Sequence, residues 1–134
     1  MTERGELGEL LAAARGALGH AYCPYSRYPV GAAVRTKSGA VYAACNVENA
    51  SLGLSLCAER AAIAVAVAAG MRAGELTAVA VVAERGLPVP CGACRQVIAE
   101  FAAAGCMVAV QGGDGEVRVW PAAELLPDAF RAIP

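Results

Sequence analysis

Leu7, Leu10, Leu11, Ala14 and Leu18 recur at helical spacing and predict an amphipathic first helix that ends before Pro24-Tyr25-Ser26. Its leucines need a sheet or another helix to cover them. Apolar stretches over residues 30–36 and 41–45 read as two strands, joined by the tight turn Lys37-Ser38-Gly39-Ala40 into a hairpin. A helix over residues 56–69 follows and closes on Gly70, a residue suited to the left-handed position just past a helix end. That helix is apolar nearly all round, so cover is expected on several sides, part of it from other subunits. Residues 77–83 form a continuous apolar run of strand length, 91–104 a helix closed by Gly105, and 106–111 another strand. Together these three predict a right-handed β-α-β unit with parallel strands. Gly112-Gly113-Asp114-Gly115 turns into a short strand over 116–120, and Pro121 precedes a final short helix ending near Phe130.

A chain of 134 residues falls within the usual size of one domain, so residues 1–134 are expected to form a single domain. Hydrophobic residues make up 57% and charged residues 17%, which is rich in apolar material for a small monomer. Part of that excess is expected in a subunit interface. The net charge is −1, and the 11 Lys and Arg are scattered without a stripe or block, which argues against a nucleic-acid or anionic-membrane partner. Residues 1–9 are acidic rather than signal-like, and the longest apolar run, 61–69, falls far short of a membrane span. A soluble cytoplasmic protein is the expectation.

Six cysteines without a secretion signal point to a reducing compartment, where thiols more often hold metal or do chemistry than form disulfides. Cys57, Cys91 and Cys94 are the metal candidates; Cys23, Cys45 and Cys106 read as small buried hydrophobes. His20 lies in a helix-like segment remote from these motifs and reads as an ordinary side chain.

Cys91 and Cys94 are three apart at a helix start, so both side chains fall on one face, while Cys57 begins another helix. The partial positive charge of each helix N-terminus favours thiolate over thiol. Three thiolates leave one tetrahedral position open, which fits a catalytic zinc site better than a structural one. Glu59 is the free carboxylate beside it and the candidate general base and general acid. Residues two apart do not face each other within a regular helix, so Cys57 is expected at the cap or first position. Zinc with three thiolates carries a net charge of −1, and Arg60 is the candidate to offset it by hydrogen-bonding sulfur; a solvated surface arginine is the alternative. A redox pair or a structural zinc staple would leave Glu59 unexplained.

Cys57-Ala58-Glu59-Arg60 with Pro90-Cys91-Gly92-Ala93-Cys94-Arg95-Gln96 resembles the signature of the small zinc-dependent cytidine deaminases, in the branch with three cysteine ligands. Matches extend over most of the chain, through the run from Pro24 to Ala33, Cys45-Asn46-Val47-Glu48-Asn49 and Leu125-Leu126-Pro127-Asp128-Ala129-Phe130. The resemblance implies a three-layer α/β/α sandwich around a mixed five-stranded sheet, one Zn2+ per subunit and a homotetramer with active sites near subunit interfaces. It implies hydrolytic deamination of cytidine and 2′-deoxycytidine by zinc-activated water, as in pyrimidine salvage. Asn46 and Glu48 match the pair that hydrogen-bonds the ribose hydroxyls, and Tyr28 matches an aromatic position, usually Phe, packed on the pyrimidine. Val47 and Ala58 match further substrate-contacting positions, and Phe130 a residue that reaches a neighbouring subunit's site.

Turn formation by Asn46 and core packing by Tyr28 remain open alternatives from the residues alone. One position departs from the family pattern: Leu52 follows Asn49-Ala50-Ser51 where a Tyr is usual, which removes a hydroxyl from the subunit contact. Nucleoside preference is thereby less constrained than reaction type. A deaminase of a cytosine-bearing antibiotic such as blasticidin S, or of another aminated heterocycle, shares the zinc motif. A polynucleotide-editing deaminase would need a basic groove, and a nonenzymatic zinc module would have no use for Glu59.

Overall fold

The computed structural model describes residues 3–133, and its element order is α1 (Glu3–Leu18), β1 (Val30–Thr36), β2 (Val41–Cys45), a 3-10 turn (Leu52–Leu54), α2 (Ala58–Ala68), β3 (Leu76–Ala83), α3 (Gly92–Phe101), β4 (Ala102–Gln111), β5 (Val117–Pro121) and α4 (Ala122–Leu125). The strands form one five-stranded sheet in the order β2-β1-β3-β4-β5. Only β3 and β4 run parallel; the other three pairs are antiparallel. The sheet is therefore mixed, as expected, and the β1–β2 hairpin turns at Gly39 with Thr36 N–H on the Ala40 carbonyl at 2.9 Å.

Side chains along the central strands alternate between two separate cores because successive residues of a strand point to opposite faces. Ala33, Ala78, Ala80, Val82 and Ala109 meet Leu10, Leu11, Ala14 and Leu18 of α1 on one face. Ala32, Val34, Val79, Val81, Val108 and Val110 meet Ala58, Ala62, Ile63 and Ala66 of α2, Ile98 of α3 and Leu125 of α4 on the other. Two covered faces explain why β3 reads as a continuous apolar run rather than an alternation. The α1 face is built largely from alanine, which lets the helix approach closely. At Gly31 the approach reaches its limit: a Cβ there would lie 2.0 Å from the Ala14 carbonyl oxygen.

The second helix ends as its sequence predicts, with Gly70 at φ 116 and the N–H groups of Gly70 and Met71 returning to Val67 and Ala66 carbonyls at 2.9 Å. Only part of its surface is covered within this chain: Ala58, Glu59, Ala62, Ile63 and Ala66 are buried, while Val65 is exposed.

Two boundaries differ from the sequence expectation. The third helix stops at Phe101 instead of running to residue 104, because the Phe101 carbonyl accepts from Gly74 N–H at 3.0 Å and Ala102 pairs with Leu76 of β3. Sheet pairing overrides the helix preference of three alanines. The last helix ends at Leu125 and does not approach Phe130, since Pro127 disfavours helical geometry at the residue before it and Asp128 sits at φ 53.

Gly31→Ala should force α1 away from the sheet and lower stability by about 2 kcal/mol, the usual size of an overpacking penalty. A urea midpoint equal to wild type would show that α1 shifts freely.

Candidate active site

The N-termini of α2 and α3 carry the three cysteines. Cys57 is the N-cap of α2, at φ −70 and ψ 152, and Cys91 is the N-cap of α3, at φ −69 and ψ 170. This extended backbone at Cys57 is what lets the cap and Glu59 serve one site although two apart in sequence. Cys91 Sγ accepts from the Cys94 N–H at 3.5 Å and lies 3.9 Å from Cys57 Sγ. All three sulfurs lie within 4.8 Å of one another, with Cys94 buried, Cys57 half-buried and Cys91 exposed.

Such a cluster fits a thiophilic divalent cation. Among the described residues no fourth His, Cys, Asp or Glu joins it, so the donor set leaves one tetrahedral position for water or substrate. The Cys57 thiol is lowered to about 5, chiefly by the hydrogen bond from Cys94 and further by Arg60, while the Cys94 thiol is raised by donating to Cys57 and by burial. Arg60 Nη2 donates to Cys57 Sγ at 3.5 Å, and that thiolate raises the guanidinium above its ordinary value. Arg60 is therefore turned to the sulfurs rather than solvated.

Glu59 is 5% exposed. Burial pushes its carboxyl up to about 7, with the negative Cys57 sulfur adding to the effect. Beside the cluster opens a cleft of about 310 Å3, lined by Tyr28, Asn46, Glu48, Cys57, Ala58, Glu59 and Cys91 among others. A smaller hollow of about 210 Å3, under residues 99–106 and the α4 segment, contains neither the cysteine cluster nor Glu59.

Glu48 accepts the N–H groups of Tyr25 and Ser26, both at 3.0 Å, and these bonds, Ser26 foremost, hold its carboxyl below the ordinary value. Carboxylate oxygens offer about four lone-pair sites, so acceptor capacity remains. Asn46 is 9% exposed and bridges two segments: its Oδ1 accepts from Val30 N–H and its Nδ2 donates to the Tyr28 carbonyl, each at 2.9 Å. One N–H of that amide is left over.

Two expected residues do not line this chain's own cleft. Val47 spends its backbone N–H and carbonyl on Leu56, at 2.9 and 2.8 Å, and its side chain is exposed. Phe130 is 65% exposed, its carbonyl held by Gln96 Nε2 at 2.9 Å. Ser26, Val30, Val81, Pro88 and Val89 line the cleft without having been singled out from the sequence. The Pro88-Val89-Pro90 run immediately before Cys91 was the available signal for part of that wall. Arg95 Nε donates to the Pro90 carbonyl at 2.8 Å and its Nη1 to that of Leu125 at 3.0 Å, which fixes the approach to Cys91.

Residues 6–110 match the family described as the cytidine and deoxycytidylate deaminase zinc-binding region. The chain is 49% identical over 113 residues to a cytidine deaminase of Halalkalibacterium halodurans, covering 84% of each. It is 44% identical over 126 residues to a cytidine deaminase of Sporosarcina psychrophila, covering 93% of this chain and 91% of that one. The crystal structure of cytidine deaminase from Burkholderia pseudomallei superposes with a TM-score of 0.87 at 50% identity, covering 97% of this chain and 100% of that one. The mixed sheet between helical layers is thus a fold shared with solved deaminases.

Replacing Cys91 with Ala should lower bound zinc well below one ion per chain, measured by metal analysis after gel filtration. Full occupancy in that variant would remove Cys91 from the donor set.

Proposed function

Because the chain belongs to the cytidine and deoxycytidylate deaminase zinc-binding family, we propose that it hydrolyses the C4 amino group of cytidine and 2′-deoxycytidine, giving uridine or 2′-deoxyuridine and ammonia. The observation that carries this reading is a buried carboxyl, Glu59, sharing one cleft with Cys57 and Cys91 of the three-thiol cluster. Cys57, Cys91 and Cys94 would hold one zinc per chain, which when bound supplies Lewis-acid activation of water.

Glu59 takes one proton from the attacking water and gives it to N3 of the pyrimidine, then takes the second from the new C4 hydroxyl and gives it to the amine, which leaves as ammonia while C4 becomes a carbonyl. Burial disfavours the charged carboxylate and holds Glu59 above the ordinary carboxyl range, the direction a residue acting in turn as base and acid needs. Arg60 draws electron density from Cys57 sulfur and offsets the negative charge of the thiolate set. Glu48 and the remaining N–H of Asn46 suit the ribose hydroxyls, and the Tyr28 ring suits the face of the base. Ala58, buried at the cleft wall, limits its depth. The placement of Val47 outside the cleft supports a more indirect part for it, bridging Tyr22 and Leu56 behind Glu48.

Residues 1–134 are read as one catalytic domain acting as a homotetramer in the cytoplasm, in pyrimidine salvage. No helix among the described residues is long and apolar enough to cross a membrane. Exposed Tyr25, Leu52, Leu54, Val65 and Phe130 support burial against further copies, with Phe130 reaching a neighbour's cleft. Light scattering at micromolar concentration should give four times the chain mass; a monomer across the concentration range would refute the assembly.

Ultraviolet absorbance of zinc-loaded protein with cytidine should report conversion to uridine. Glu59→Gln should keep its zinc and lose turnover by about a thousandfold, the range of general acid–base contributions. Near-normal turnover in that variant would overturn the proton-transfer role. Conversion of blasticidin S in preference to cytidine would move the substrate to the antibiotic class.

A further inference from the structure

Residues 84–91 link β3 to α3, and this loop contributes Pro88 and Val89 to the cleft wall before ending on Cys91. Its far end is fixed by the Arg95 bond to the Pro90 carbonyl at 2.8 Å. Pro88 and Pro90 restrict the backbone within it. The near end, over residues 84–87, carries no proline and turns through exposed Arg85.

Three interactions from the opposite side of the cleft converge on that end. The Tyr28 hydroxyl donates to the Arg85 carbonyl at 2.8 Å. The Arg85 guanidinium lies over the Tyr28 ring, 5.4 Å from its centre, within cation–π range. The same guanidinium donates through Nη2 to the Arg27 carbonyl at 2.8 Å. Arg27 sits at φ 55, a left-handed conformation that is costly for a residue with a Cβ, so a strained residue is held in place by this contact. Gly113 N–H on the Gly86 carbonyl, at 3.1 Å, supports the turn from β4's side.

We propose that Tyr28 and Arg85 form a clasp that positions the 84–91 loop across the cleft, making both positioning residues for substrate binding. Tyr28 thus acts twice, with its ring as cleft wall and its hydroxyl as the tie to the facing loop. The inference rests on the reading of this cleft as the nucleoside site. Glu59 stands on α2 and Cys91 is held by α3, so slack in the near end of the loop displaces Pro88 and Val89 while leaving the reacting groups in place. Loss of the clasp therefore weakens binding more than chemistry.

The test uses Tyr28→Phe, which keeps the ring, Arg85→Ala, and the double variant. Each single change should raise KM for cytidine roughly three- to tenfold with kcat far less affected and zinc content unaltered; the double variant should fall well short of the product of the two, because both act on one clasp. Amide hydrogen exchange at Val89, whose N–H donates to the Leu87 carbonyl at 2.9 Å, should quicken in all three without substrate. A KM equal to wild type, effects that multiply in the double variant, or unchanged exchange would each overturn the clasp. If wild type fails to deaminate cytidine at all, the nucleoside reading falls, and the exchange rates alone decide whether the clasp exists.

Discussion

Two helix N-termini meet over the end of a parallel β-α-β unit, and the convergence of their caps is the constraint on which the rest of the site depends. Cys57 and Cys91 each leave the backbone in extended geometry just before their helices begin, and Cys94 follows one turn into the second helix. Helix dipoles and the free N–H groups of the first turns favour negative sulfur at this point. Three thiols within 4.8 Å would repel as thiolates without such an environment or a cation among them.

The same burial that isolates the sulfurs sets the character of Glu59. A carboxyl with so little exposure beside a negative sulfur resists ionisation, and the nearby Arg60 guanidinium, hydrogen-bonded to Cys57, offsets this only in part. Two adjacent residues of one helical turn therefore face different ways, Glu59 to the cleft and Arg60 to the Cys57 sulfur. An exposed Glu59 would be an ordinary surface carboxylate with little reason to hold a proton at neutral pH.

The cleft walls come from segments far apart in sequence, and they are tied by backbone carbonyls rather than by a continuous core. Asn46 joins the segment around Tyr28 and Val30 to β2, Glu48 gathers the Tyr25 and Ser26 amides, and Arg95 grips Pro90. Polar side chains that resemblance assigns to ribose are thus also the fasteners of the cleft. An amide and a carboxylate each have more hydrogen-bonding capacity than one partner uses, so fastening the cleft leaves capacity for a further partner.

Much of this was legible in the sequence, for reasons that differ by element. The leucine periodicity of α1, the uninterrupted apolar run of β3 and the Cys-x-x-Cys at a helix start are local patterns whose physics needs few distant partners, so these elements and the Cys91–Cys94 pair could be read without knowing the rest of the fold. The ends of α3 and α4 were not legible, because Ala102 is claimed by Leu76 of β3 and the last helix is cut short around Pro127. Nor was the double use of Asn46, whose partners Tyr28 and Val30 lie across a turn of the chain, or the wall formed by Val81 and Val89. Sequence alone decided which chemical groups the protein carries; only the tertiary structure decided which of them meet, because hydrogen bonds and sheet pairing between distant residues depend on ångström-scale positions that no local pattern encodes.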